Sequence, residues 1–233
     1  MGFDLTLDNL NLAIESSATY SSSTVSDLRA VKVKRVDWNV NIAGRWNRAI
    51  LTPHGISKLL FQLPEQTAVE VLVPVDTYAP FQVKNKGVTV TPYNEMLQVS
   101  CSENIAGLGE AINVASNALK ELPRTPVSAI GVNLGYEIDD SAILANVAEE
   151  VDNRLSDDEH DIVSRQSART LKWNEGFLNV NVVIHDNAST NVRFNFHRNG
   201  DNKELLEWLN HPCKSFEETA EKILEIYQGA KVD

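Results

Sequence analysis

The chain has 233 residues with a formal net charge of -11, and 42% of them are hydrophobic, enough to build a core without covalent staples and too many for a disordered chain. The acidity argues against a general nucleic-acid binder, whose footprint is basic. Cys101 and Cys213, far apart, are too few for a secreted disulfide scaffold and read as reduced core thiols. No apolar run approaches the roughly 18 residues that span a bilayer, and the N-terminus lacks the basic and apolar regions of a signal peptide, so a soluble, cytoplasmic protein with no membrane partner is expected.

Leu5 to Leu7 and Leu10 to Ile14 alternate with the period of a strand, and the Ser/Thr-rich stretch 16–26 reads as a loop. The stretch 30–42 is the strongest strand pattern. Val31 and Val33 are in one phase and Val36, Trp38, Val40 and Ile42 in the other, so a β-bulge near Lys34 and Arg35 is expected to keep one core face. Residues 48–101 read as short antiparallel strands between Pro and Gly signals, the clearest being Ala68–Val75, Val88–Thr91 and Met96–Cys101.

Ile105, Leu108, Ile112, Ala115, Leu119 and Leu122 then form a helical stripe that Pro123 stops. Residues 127–138 return to strand, with Ile130, Val132, Leu134, Tyr136 and Ile138 on one face. Helices are expected over 141–155 and from 157 to about 169, a hairpin over 177–185 and 191–197, and helices over 202–210 and 216–228. Strands followed by a helix over 88–121 resemble strands followed by helices over 177–228, without a residue-level repeat.

The expected fold is α+β: an antiparallel β-sheet covered by helices, with a β-rich N-terminal half and a helix-rich C-terminal half. It reads as a single compact unit over 1–233, with 1–122 and 123–233 as the alternative subdivision.

Each chemical motif has a structural explanation that outweighs it. Asp157, Asp158, Glu159, His160 and Asp161 could hold a metal, but Ser156 and Glu159 form a capping box and acids suit a first helical turn. Ser215 with Glu218, and Asp201 with Glu204, repeat that device. His185, His197, His211 and Cys213 suggest zinc, yet a hairpin setting His185 opposite about Val192 and His197 opposite about Val180 holds the first two roughly 17 Å apart. His54, in Thr52-Pro53-His54-Gly55, reads as a polar turn residue. Gly107-Leu108-Gly109 lacks the third glycine of a dinucleotide fingerprint and reads as close helix packing. No catalytic residue, metal ion or cofactor is expected.

Charge separation is what remains. Over residues 28–58 seven basic side chains face one acid, Asp37, a net of +6, whereas over 135–161 ten acids face one base, Arg154, a net of -9. Lys32, Lys34, Arg35, Arg45, Trp46 and Arg48 are the candidate binding residues, because Arg and Trp are enriched at protein interfaces. Against this, Trp38 falls on the core face, and Lys32 and Lys34 fit the solvent face of an edge strand. The reading is a non-enzymatic protein-binding or assembly protein, with a protein partner or self-association through opposed basic and acidic surfaces. The alternatives are a binder of nucleic acid or a phosphate-bearing ligand through 29–48, and a hydrolase or metal enzyme whose site is not readable from sequence.

Overall fold

The computed structural model describes residues 32–75, 79–138, 163–185 and 189–228. The segments expected over 5–26 and 141–161, with the Ser156 cap and the acidic cluster behind it, lie outside the described residues.

Alternation of apolar and polar residues builds nine strands: β1 (Val33–Gly44), β2 (Glu70–Leu72), β3 (Gln82–Asn85), β4 (Val88–Pro92), β5 (Met96–Ser100), β6 (Val127–Ile138), β7 (Ser164–Trp173), β8 (Gly176–His185) and β9 (Thr190–Asn199). They form one antiparallel sheet in the order β2-β3-β4-β5-β1-β6-β9-β8-β7. Between β1 and β2 lies a single turn, α1 (Pro53–Gly55), which runs on as a π-helical stretch, Ile56–Leu60. Three longer helices are α2 (Ile105–Glu121), α3 (Asn202–Leu209) and α4 (Cys213–Gln228). The fold is therefore mixed α+β and rich in strand. None of the described helices is long and apolar enough to cross a membrane.

The strand order is symmetric about the central β1–β6 pair. On one side β5, β4 and β3 follow outward from β1, and on the other β9, β8 and β7 follow outward from β6. One helix, α2, comes after β5, and α3 and α4 come after β9. In element order the two sides therefore run alike, with β2 as an addition to one edge.

Trp38, Val40 and Ile42 of β1, Leu97 and Val99 of β5, Ile130 to Ile138 of β6 at alternate positions, and Phe194 and Phe196 of β9 face one side of the sheet and are buried. The helices pack there: α2 meets β1, β4 and β5, α3 meets β6 and β9, and α4 meets β6. The stripe expected on α2 is buried at Leu108, Ile112, Ala115 and Leu119. Gly107 is needed where the helix starts, because a Cβ there would stand 2.4 Å from Ser102 O. Gly109 leaves the gap into which Cys213 of α4 fits. Trp173 at the end of β7 is wedged among Phe196, Trp208 and Phe216, and this aromatic cluster fixes α3 and α4 to the β7–β9 meander.

The structure corrects the sequence reading at several points. Ser164–Trp173 is a strand, not the tail of a helix. Its Arg165, Ser167 and Arg169 occupy the core side of an edge strand that meets the core at its Trp173 end, so no apolar period marks it. The bulge in β1 lies between Val36 and Asn39, with Asp37 in a left-handed conformation at φ 57°. Val36 therefore pairs with Gly135 on the face opposite Trp38. β1 is a central strand, not an edge strand. The last helix starts at Cys213, so Ser215 is inside it and donates its hydroxyl to Pro212 O instead of capping. Asp201 and Glu204 do form the expected capping box. The strand expected over Ala68–Val75 shrinks to Glu70–Leu72, and Pro53 to Leu60, expected among short strands, is helical.

Candidate functional site

The basic segment does not form one patch. Lys32 and Lys34 lie at the start of β1, while Arg45 and Arg48 lie beyond its far end, about 36 Å away from Lys34 to Arg45 at the usual strand rise. Lys34 Nζ is 3.2 Å from Glu137 Oε2 in an exposed ion pair of little energetic weight. Arg35, turned by the bulge on to the helix-covered side, is held by Glu217 at 2.7 Å and Glu221 at 2.9 Å, with its guanidinium 5.5 Å from the Trp38 ring centroid. Trp46 is buried and donates its indole N–H to Ile42 O. With Trp38 buried as well, neither indole of the segment can stack on a ligand. Arg45 and Arg48 alone remain exposed and, among the described residues, unpaired at that end.

The histidines also stay apart. His197 is opposite Phe177, and His185 is eight residues further along β8, so the two are about 26 Å apart by strand rise. His54 is exposed on α1. His211 and Cys213 open on a cleft of about 630 Å³ between α2 and the α3–α4 connection, with Asn113, Asn117 and Lys120 on its α2 side. Trp208 O accepts from His211 Nδ1 at 2.8 Å, which requires that nitrogen to carry a proton. Among the described residues no three His, Cys, Asp or Glu side chains come together to hold a metal ion.

Burial sets the thiol and phenol chemistry. It pushes the Cys101 thiol up to about 12, with help from Glu103. It also pushes the Tyr136 phenol well above its ordinary range, and its hydroxyl has no hydrogen-bond partner among the described residues.

Two features had gone unremarked in the sequence. The first is the β2 edge, where Val71, Leu72, Val73 and Val75 are all exposed, Val73 by 76% and Val75 fully. Beside it is a groove of about 310 Å³ floored by Pro74, Ala79, Pro80 and Tyr93. The second is a row of side chains on the sheet face away from the helices. Thr170 donates to Asn179, Asn179 to Asn195, Asn195 to Asn133 and Asn133 to Asn39, at 2.8, 3.1, 2.7 and 2.8 Å, across five strands. Ser100 and Thr89 extend the row in register to β5 and β4. Gly131 is part of this arrangement, because a Cβ there would lie 2.8 Å from Asn195 Nδ2 and displace it. The legible signals were asparagines alternating with apolar residues at 179 and 181, and the absence of any Asp or Glu from the residues of β7, β8 and β9.

Comparison with protein families, with curated proteins and with solved structures finds no match to this chain.

Proposed function

We propose that the chain is a non-enzymatic protein-binding or assembly protein that associates through the β2 edge of its sheet. The observation that carries this reading is the run of exposed apolar side chains from Val71 to Val75, on and just beyond the terminal strand β2, beside an apolar groove. Single exposed apolar residues are ordinary, but four within five positions, on and just past a strand with no second neighbour among the described residues, form a patch suited to strand addition.

The occupant this edge fits is a second copy of the chain. Antiparallel pairing of two β2 strands about a two-fold centred on Val71 sets Glu70 opposite Leu72, so no like charges are opposed. The other terminal strand, β7, is less suited to the same contact, because a two-fold centred on Ser167 would set Arg165 against Arg169, and one centred on Arg169 would set that side chain against its own copy.

Sedimentation velocity at low and high salt tests this, with Val73→Asp as the control. The expected result is a reversible dimer that persists at high salt and is lost in the variant. A monomer under all conditions overturns it.

The second reading keeps the opposed charges, with Arg45 and Arg48 as the basic partners of an acidic surface. Its acidic counterpart beyond Ile138 lies outside the described residues. Association that weakens with salt and with Arg45→Glu plus Arg48→Glu, but not with Val73→Asp, would select it.

A further inference from the structure

The sheet face away from the helices has the composition of a recognition surface. In a chain with net charge -11, none of the residues of β7, β8 and β9, ten in each strand, is acidic. Alternation buries Leu178, Val180, Val182, Val192, Phe194 and Phe196 and turns their neighbours outward. Among those neighbours Phe177 is 44% exposed, an unusual place for a large aromatic on a polar face. Register sets Lys172 on one side of it and His197 on the other. Arg193 is on the same face, its nearest acid being Asp37 at 3.6 Å in a pair more than two-thirds exposed on both sides.

The adjacent row is the asparagine ladder. An amide offers two N–H donors and two lone pairs. In the ladder Asn133, Asn195 and Asn179 each donate once and accept once. Each keeps one N–H and one lone pair for a ligand, repeated at the strand spacing of about 4.8 Å. The face thus presents a free aromatic ring, with Lys172 on one side and His197 on the other, and a line of paired donors and acceptors.

From this combination we infer that the outer face of β6, β9, β8 and β7 binds single-stranded nucleic acid, a base stacking on Phe177, phosphates meeting Lys172, His197 and Arg193, and the asparagine row reading base edges. An unpaired strand supplies all three kinds of group, whereas a duplex hides its base faces. An acidic peptide would engage the cations and leave the ring and the amides unused. The inference goes beyond the assembly reading and is independent of it, since β2 is at the opposite end of the sheet.

The test is fluorescence anisotropy with labelled oligouridylate and oligoadenylate, a duplex of equal length and polyglutamate as comparators. The single strands are expected to bind and to weaken as salt rises. Phe177→Ala is expected to lower affinity between about five- and a hundredfold. Lys172→Glu should reduce the salt slope, while Arg48→Glu and Val73→Asp leave binding unchanged. Phe177 and Lys172 are exposed, so both variants should fold, which far-UV circular dichroism checks. No anisotropy change at low salt, an unaltered affinity in Phe177→Ala, or polyglutamate binding as well as the single strands overturns the inference.

Discussion

Arg35 Nη2 lies 2.7 Å from Glu217 Oε1 and ties the start of β1 to α4. Burial pushes the Glu217 carboxyl above its ordinary range against the pull of Arg35, and the neighbouring Glu221 adds to the rise. A carboxyl raised on folding favours the folded state when protonated, so its contribution is present at acid pH and is lost as pH rises through the folded value. Glu217→Gln fixes the neutral form. Its melting temperature relative to the unmodified protein should therefore rise from about pH 4 to pH 7. Melting curves across that range check this, and a pH-independent difference would contradict it.

The two thiols should separate by reactivity. Cys101 is buried, with its thiol pushed up to about 12, and its Sγ–H donates to Trp38 O. Cys213 is half-buried at the start of α4 and faces the cleft. Under native conditions iodoacetamide should label Cys213 well before Cys101, as read by peptide mass spectrometry. Equal labelling would mean that Cys101 is not held as described.

Trp38 is fully buried, donates its indole N–H to Gly135 O at 3.2 Å and meets Tyr136 edge-on at 6.0 Å. Trp38→Ala should cost about 3–5 kcal/mol, most of it from the cavity left at the centre of the sheet. Trp38→Phe should cost less. Urea denaturation of both variants measures the difference.

The asparagine row should stabilise the sheet modestly. Asn133→Ala removes one donated and one accepted hydrogen bond between half-buried amides, and a loss of about 1–2 kcal/mol is expected. Urea midpoints check this value. An unchanged midpoint would mean that water replaces the ladder without loss.

Sequence patterns revealed what burial writes into the chain. The stripe on α2, the core face of β6, the β8–β9 hairpin and the Asp201 cap were all legible, because each places apolar or capping residues at a fixed local spacing. The phase change in β1 revealed a bulge but misplaced it, since either side of Val36 restores the core face. β7 was missed because it carries polar residues on both faces over most of its length and meets the helices through Trp173 and Arg169 rather than through an apolar stripe. The two candidate surfaces were less legible. The ladder joins Asn39, Asn133, Asn179 and Asn195, whose meeting depends on strand order and register across more than a hundred residues. The valines at 71, 73 and 75 read as part of a short strand over Ala68–Val75, whereas the strand ends at Leu72 on the edge of the sheet and leaves them exposed.

Association through β2 is tested most directly by hydrogen exchange at low and high protein concentration. Pairing of a second copy on that edge should slow exchange at amides of Glu70 to Val73 as concentration rises, while amides of the β7 edge are unaffected. Exchange at β2 that does not depend on concentration would contradict the account.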